Sequence, residues 1–147
     1  MSDADRQIVC TACGATNRLP PGRDAREARC GKCRAALFSA HPADVDGAMF
    51  RRQIDRNSIP VLVDVWAPWC GPCRMMAPEF ARAAGMLEPE MRLVKLNSEA
   101  EPQVAATLGI RGIPTLLLYR GGREVARQSG AMDAASIAGW ARAQLRD

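Results

Sequence analysis

The sequence predicts an α/β fold in which a central mixed β-sheet is flanked by helices on both faces, with a small cysteine-rich module at the amino terminus. Three observations predict it. Branched apolar residues at 59–67 are typical of a strand buried on both faces, helical segments alternate with further apolar strands, and four amino-terminal cysteines have a paired Cys-x-x-Cys spacing. We assign residues 1–41 to the module and linker and 42–147 to the main domain.

Composition limits the size, the location and the partners of the chain. Its 147 residues, 48% of them hydrophobic, suffice for one well-packed domain and a small appendage. No run approaches the roughly 18 consecutive apolar residues of a membrane span, and the start lacks the apolar core of a signal peptide. We therefore expect a cytoplasmic protein with no membrane partner. Cytosolic thiols stay reduced, so paired cysteines indicate metal binding or redox catalysis.

The amino-terminal cysteines predict a zinc site. Sixteen residues separate the two pairs, and two residues between the cysteines of each pair let one tight turn aim both sulfurs at a single point. Four thiolates leave no open coordination position, so we expect one structural zinc in a zinc-ribbon-like module whose folding depends on the metal. Gly14 and Gly31 are expected to supply permissive backbone for the turns. The predicted ligands are Cys10, Cys13, Cys30 and Cys33.

The main domain begins with a weak amphipathic helix at 46–56, and no strand before it is evident from the pattern. After the strand at 59–67 comes a helix at 74–86, which Pro78 should kink. A strand follows at 91–96, and a short helix then ends before Gly109. Residues 115–119 and 124–128 form a hairpin around a turn at 120–123. Asp133 can cap a last helix that places four apolar residues on one face: Ile137, Trp140, Ala141 and Leu145.

Cys70 and Cys73 stand where the apolar strand passes into a helix, and this position predicts a redox dithiol. Cys70 lies at the helix amino end, where unpaired N–H groups and the helix dipole favour a thiolate, so it is the predicted nucleophile. Cys73, one turn further on, is suited to resolve the mixed disulfide. Gly71 and Pro72 keep the turn compact, and Pro72 loses no hydrogen bond at a helix start.

Asp64 is a carboxylate within the apolar strand. Burial of the charged form is costly, so its pKa should be raised. Such a group can accept the proton of Cys73 when that thiol attacks, or it can be a buried carboxylate satisfied by local hydrogen bonds. The pattern alone leaves both interpretations open.

The residues at 66–73, WAPWCGPC, resemble the active site of the thioredoxin family, and those at 112–115, GIPT, resemble its second signature. The similarity runs from about Asp44 to the carboxyl terminus, and the amino-terminal cysteines resemble those of family members with a zinc-binding extension. The resemblance implies a thioredoxin fold and a monomeric protein-disulfide reductase. It further implies disulfide-containing protein substrates, no bound organic cofactor, and electrons from NADPH through a flavoprotein thioredoxin reductase.

The same resemblance assigns roles to further residues. It favours a catalytic role for Asp64 and makes Lys95 its supporting charge partner. It implies that Pro114 is cis and lies against the dithiol, which leaves the backbone of Ile113 free to pair with an extended substrate. Two further residues, Trp69 and Gly130, would complete an apolar docking surface.

Two other functional classes stay open at this stage. A zinc–thiolate site on a redox protein also suggests a sensor or redox-regulated chaperone that responds when oxidation releases the zinc. The basic amino terminus suggests a nucleic-acid-binding zinc module. However, Arg29, Lys32 and Arg34 can offset the charge of the zinc–thiolate group, and no basic stripe with interleaved aromatic residues is present. We therefore expect no nucleic-acid partner.

Overall fold

The computed structural model describes residues 4–146. It contains a two-stranded hairpin and a five-stranded sheet. The strands are β1 (Arg6–Val9), β2 (Thr16–Leu19), β3 (Ala43–Val45), β4 (Val61–Trp66), β5 (Arg92–Asn97), β6 (Thr115–Arg120) and β7 (Arg123–Ser129). In the large sheet the strand order is β3-β5-β4-β6-β7. The first three strands run parallel, and β6 and β7 are antiparallel to their neighbours, so the sheet is mixed as predicted.

Helices cover both faces of this sheet. They are α1 (Gly47–Arg56), α2 (Gly71–Leu87), α3 (Pro102–Thr107) and α4 (Ala134–Gln144). Phe50 of α1 and Val104 of α3 pack on one face, while Phe80 of α2 and Ile137 of α4 pack on the other. Successive residues of β4 point alternately to the two faces, so this central strand is apolar on both sides.

Capping residues fix the helix starts where the sequence predicts them. The Asp46 carboxylate accepts a hydrogen bond from the Met49 N–H at 2.8 Å, and that of Asp133 accepts one from the Ser136 N–H at 2.8 Å. In the last helix, the four residues predicted to share one face all belong to or pack against one apolar cluster. Gly109, with φ +67°, lies just after α3, in the position predicted for a helix stop.

The amino-terminal module has a small core of its own. Antiparallel β1 and β2 contribute Ile8 and Leu19, and the segment after the second cysteine pair contributes Leu37 and Phe38. Ile59 of the main domain packs against this cluster. The module therefore rests on the larger domain rather than standing apart from it.

Polar contacts at this junction are buried. The N–H of Val9 donates to Asn57 Oδ1 at 2.8 Å, and the carbonyl of Val9 accepts from Arg92 Nη2 at 2.9 Å. The Arg92 guanidinium lies 4.2 Å from the centroid of the Phe38 ring and pairs with Glu88 at 3.9 Å. Burial raises the pKa of Glu88 to about 7. Because Arg92 begins β5 and Asn57 follows α1, the module contacts the end of the sheet at which β4 and β5 start.

The structure adds one strand that the sequence pattern does not show and corrects one expectation. A strand precedes the first helix after all: β3 has only three residues at a sheet edge, too few for a periodicity to show. Gly31 is not a special backbone position. The left-handed residue follows the second cysteine of each pair, at Gly14 (φ 81°) and at Arg34 (φ 71°). In residues 4–146, no helix is both long and apolar enough to cross a membrane.

Candidate active site and metal centre

The dithiol lies directly beyond the end of β4. Cys70 and Cys73 form a disulfide at the amino terminus of α2. Cys70 is the N-cap of this helix, and its Sγ accepts a hydrogen bond from the N–H of Cys73 at 3.2 Å. Pro72 lies in the first turn, where its missing N–H costs no hydrogen bond. A backbone N–H and the positive end of a helix dipole are groups that favour a thiolate.

The two cysteines differ in how they reach the surface. Both pack in a small cluster with Ala67, Trp66 and Ile113. Cys70 keeps 5% of its surface exposed and lines an open groove, whereas Cys73 keeps 2% and is not part of the groove wall. Cys70 is therefore the more accessible of the two sulfurs.

Asp64 is buried on the sheet face that carries α2. It is 1% exposed, and its Oδ1 accepts no hydrogen bond within residues 4–146. Burial raises the pKa of Asp64 to about 7, while the positive charge of Lys95 lowers this pKa and Asp44 raises it. Lys95 stands directly opposite Asp64 in the parallel pairing of β4 with β5. The expectation of a raised pKa is confirmed, and so is the proximity of Lys95.

The segment around Pro114 lies against the dithiol. The Ile113–Pro114 peptide bond is cis, as the resemblance implies. Cys70 Sγ is 3.8 Å from the carbonyl oxygen of Ile113. The carbonyl of Pro114 accepts a hydrogen bond from the N–H of Gly130 at 2.9 Å, which ties these two predicted docking residues together.

The groove extends in a direction that the sequence does not indicate. It has a volume of about 690 Å³, and Trp69, which is 66% exposed, forms one side. The other side comes from α3 and the loop after it, and Gly130 does not line the groove. Only Arg111, a cation in a Gly- and Ile-rich loop, could have been singled out from the sequence. The groove residues missed there are Ser98, Pro102, Ala105, Ala106, Ile110 and Arg111.

The four amino-terminal cysteines come together as predicted. All four Sγ atoms lie within 4.8 Å of one another. The Cys10–Cys33 and Cys13–Cys30 Sγ pairs are each separated by 3.6 Å. A tetrahedral zinc site with Zn–S bonds of about 2.3 Å has edges of about 3.8 Å, so this donor set fits such a metal. Cys33 is the exposed member of the cluster.

Each cysteine pair is held by the same type of turn. In the first turn, the N–H of Ala12 donates to Cys10 Sγ at 3.4 Å and the N–H of Gly14 donates to the Cys10 carbonyl at 2.8 Å. The second turn repeats both bonds from Lys32 and Arg34 to Cys30. The N–H groups aimed at sulfur favour thiolates, which are the metal-binding form.

Asn17 of β2 supports the second turn from outside. Its side-chain amide donates to Cys30 Sγ at 3.5 Å, and its Oδ1 accepts the N–H of Gly31 at 2.8 Å. Hydrogen bonds from the Cys33 backbone and from Asn17 lower the pKa of the Cys30 thiol to about 6. The hairpin thus orients Cys30, one of the four cysteines that could hold a metal.

Residues 41–143 match the family model described as Thioredoxin. This match covers more than half of the chain. The chain belongs to the thioredoxin family. It is a protein-disulfide reductase of the thioredoxin type, in agreement with the position of the dithiol. Four cysteines that can hold a metal accompany this domain.

Individual relatives show how far the similarity extends. The chain is 42% identical over 139 residues to Thioredoxin C-3 of Corynebacterium nephridii, and this alignment covers 95% of each chain. It is 46% identical over 90 residues to Thioredoxin 1 of a Nostoc species, and this alignment covers 61% of this chain and 84% of the relative. The first alignment therefore reaches into the amino-terminal module, whereas the second spans a length shorter than the main domain.

Solved structures support the same assignment of the fold. A mutant thioredoxin from Halobacterium salinarum is similar with a TM-score of 0.66 and 26% identity, covering 75% of this chain and 96% of that one. Chloroplastic thioredoxin z gives a TM-score of 0.65 at 25% identity, covering 71% of this chain and 94% of that one.

Proposed function

We propose that the protein reduces disulfides of other proteins with Cys70 as the nucleophile and Cys73 as the resolving thiol. One observation carries this assignment: Cys70 is the member of the pair that lines the groove and accepts a hydrogen bond at the helix amino terminus. A thiolate at that position is both stabilised and accessible.

The reaction then has two exchanges. The Cys70 thiolate attacks one sulfur of the substrate disulfide, the substrate S–S bond breaks, and the other substrate sulfur leaves as a thiolate that takes up a proton. Cys73 loses its proton and attacks Cys70 Sγ, which releases the second substrate sulfur as a thiolate. The enzyme is left with the Cys70–Cys73 disulfide, the oxidised state seen here. Gly71 and Pro72 keep the two sulfurs within reach of each other.

Asp64 is the proposed proton acceptor for Cys73, with Lys95 supporting its charged form. The carboxyl group is buried, lacks a hydrogen-bond partner at Oδ1 within the described residues, and has a pKa of about 7. A base is most effective when its pKa is close to the working pH. Trp66, two residues further along the same face of β4, packs against the cluster that contains both cysteines, so this face is directed toward the dithiol.

Protein substrates are proposed to bind as extended segments along the groove. Trp69 and the small residues of α3 offer an apolar surface, and Arg111 offers a positive charge at its edge. The backbone of Ile113, next to cis-Pro114, would pair with the substrate backbone, while Gly130 supports the Pro114 segment.

We further infer that the module of residues 1–41 binds one structural zinc and makes this chain a thioredoxin 2, with its catalytic domain at 42–147. The closeness of the four sulfurs, with two Sγ–Sγ distances of 3.6 Å, and the small size of the module core support this. The zinc would hold the two turns together and would take no part in the exchange reaction. The module contacts the start of β4 and the dithiol follows its end, six residues or about 20 Å away.

The cellular setting is also a proposal. Re-reduction of Cys70–Cys73 would use NADPH through a flavoprotein thioredoxin reductase, with no organic cofactor bound to this chain. A cytoplasmic monomer is the expected form. The reducing environment of that compartment suits a site that must return to the dithiol state.

The decisive test is NADPH-coupled reduction of a protein disulfide with a matching reductase, with zinc measured on the same samples. Cys70→Ser should reduce turnover by at least about a thousandfold and should keep about one zinc per chain. Cys73→Ser should accumulate a mixed disulfide with the substrate. Turnover that survives Cys70→Ser would disprove the assigned nucleophile, and a metal-free wild type would disprove the zinc site.

A further inference from the structure

Lys95 stands in a row of charged residues across three strands. In the parallel pairings its partners are Asp64 on β4 and Asp44 on β3. Paired residues of adjacent strands point to the same face, so Lys95 stands between a residue with a buried carboxylate and one with an exposed carboxylate. Nothing in this row alone decides toward which carboxylate the flexible lysine turns.

Trp66 supplies the missing constraint. It lies two residues after Asp64 and therefore on the same face. The Lys95 Nζ is 4.7 Å from the centroid of the Trp66 ring, within the range of a cation–π contact. Within the described part of the chain, the indole N–H makes no hydrogen bond. The Trp66 indole therefore interacts with the Lys95 ammonium through the face of its ring.

The tryptophan is itself held firmly. Its carbonyl accepts hydrogen bonds from the N–H of Ser98 at 2.8 Å and from the Ser98 hydroxyl at 2.9 Å. Its side chain packs against the cluster that contains Cys70 and Cys73. A ring fixed in this way gives the Lys95 ammonium a defined binding position on the Asp64 side of the row, which is the side nearest to the dithiol.

We infer that Trp66 is a positioning residue whose ring holds the Lys95 ammonium beside Asp64 and away from Asp44. The inference rests on the proposed function, because it concerns the residue proposed to accept the proton of Cys73. Lys95 favours the ionised carboxylate, which is the form that can take up that proton. Within residues 4–146, the charged groups that act on Asp64 are Lys95 from β5 and Asp44 from β3. The two cysteines at the start of α2 are joined in a disulfide and do not titrate.

The test is a carbon-13 NMR titration of the Asp64 carboxyl in the oxidised protein, in which Cys70 and Cys73 do not titrate. Burial raises the wild-type pKa of Asp64 to about 7. Trp66→Leu should raise this pKa, because the released ammonium turns toward solvent and Asp44. Trp66→Phe keeps an aromatic face and should restore most of the wild-type value. A purely structural role predicts the reverse for Trp66→Leu, because water that enters beside the carboxyl lowers its pKa.

A double-variant cycle shows whether the effect passes through Lys95. Lys95→Met should itself raise the pKa of Asp64, and adding Trp66→Leu to it should change nothing further. In single turnovers at pH 7, Trp66→Leu should slow release of a chromogenic thiol from its mixed disulfide with Cys70 about threefold.

Four results would overturn the inference. The first two are a pKa of Asp64 that falls in Trp66→Leu and a pKa of Asp64 that does not change in this variant. The third is a shift of this pKa by Trp66→Leu that persists in the Lys95→Met background. The fourth is a rate of thiol release in Trp66→Leu that equals the wild-type rate. The NMR titration needs no turnover, so its outcome is independent of the Cys70→Ser test of the proposed function.

Discussion

The chain uses the Cys-x-x-Cys spacing three times but builds two different kinds of site with it. In the module, the N–H two residues after the first cysteine donates to its sulfur, at Ala12 and at Lys32. At the dithiol the residue in that place is Pro72, which has no N–H, and the bond comes instead from the next residue, Cys73. The proline thus excludes the metal-binding turn and favours the start of a helix.

The two sites also differ in what they do for stability. The module has a small apolar core, and a metal held by its four thiolates would supply the folding free energy that this core lacks. The dithiol site depends on a large domain folded around it and places inside that domain a buried carboxyl, Asp64, whose Oδ1 accepts no hydrogen bond within residues 4–146. The metal site is expected to stabilise the module, and the buried carboxyl at the dithiol site is expected to destabilise the main domain.

The largest effect is expected from removing a metal ligand. Cys30→Ser should reduce bound zinc from about one per chain to none and should collapse the NMR signals of the module, because its folding and metal binding are one event. The catalytic domain has its own core, so disulfide reduction should stay within about twofold of wild type. Metal analysis, NMR and turnover on the same sample check this.

Cys70→Ser is the matched control for that experiment, because it removes turnover and should leave the metal and the module signals intact. If Cys30→Ser abolished turnover while the catalytic domain stayed folded, the two sites would be functionally coupled. The metal site would then act in catalysis as well as in stability.

A smaller effect, of opposite sign, is expected at the dithiol site. The pKa of Asp64 is raised from 3.8 to about 7 in the folded protein. Between these values the unfolded chain releases a proton that the folded chain keeps, so the free energy of unfolding falls as the pH rises from about 4 to 7. Asp64→Asn should therefore stabilise the oxidised protein at pH 8 by up to about 4 kcal/mol and by little at pH 3.

Urea denaturation at the two pH values measures this difference. Asp44→Asn is the control, because that carboxylate lies in the same cross-strand row but is exposed, and its removal should change stability by less than about 1 kcal/mol. Equal stabilisation by Asp64→Asn at both pH values would mean that the buried charge is not its cause.

The features found from the sequence are those encoded by nearby residues. The strand–helix junction at the dithiol, the Asp133 cap and the paired cysteines each depend on a few adjacent positions. Features that depend on distant parts of the chain were missed. The edge strand β3 is too short for a pattern, and the α3 side of the groove consists of ordinary small residues that matter only because they face Trp69.

The junction between the module and the main domain illustrates the same limit. Nothing near Arg92 in the sequence indicates that its guanidinium would be buried beneath Phe38 and bonded to the carbonyl of Val9. A cation at a strand start usually reaches solvent. Only the packing of two separate segments makes this arginine an internal group.

The smallest expected effect comes from removing a single N–H group in the first cysteine turn of the module. Ala12→Pro should weaken zinc binding about tenfold, because it removes the N–H that donates to Cys10 Sγ at 3.4 Å and so destabilises that thiolate. Ala12→Ser keeps the N–H at the same exposed position and should bind zinc like wild type. Competition with a chromogenic chelator measures both affinities. Equal zinc affinities for the two variants would show that the N–H to sulfur hydrogen bond does not distinguish the metal-binding turn from the dithiol turn. Another feature of Pro72 would then have to explain why the two turns differ.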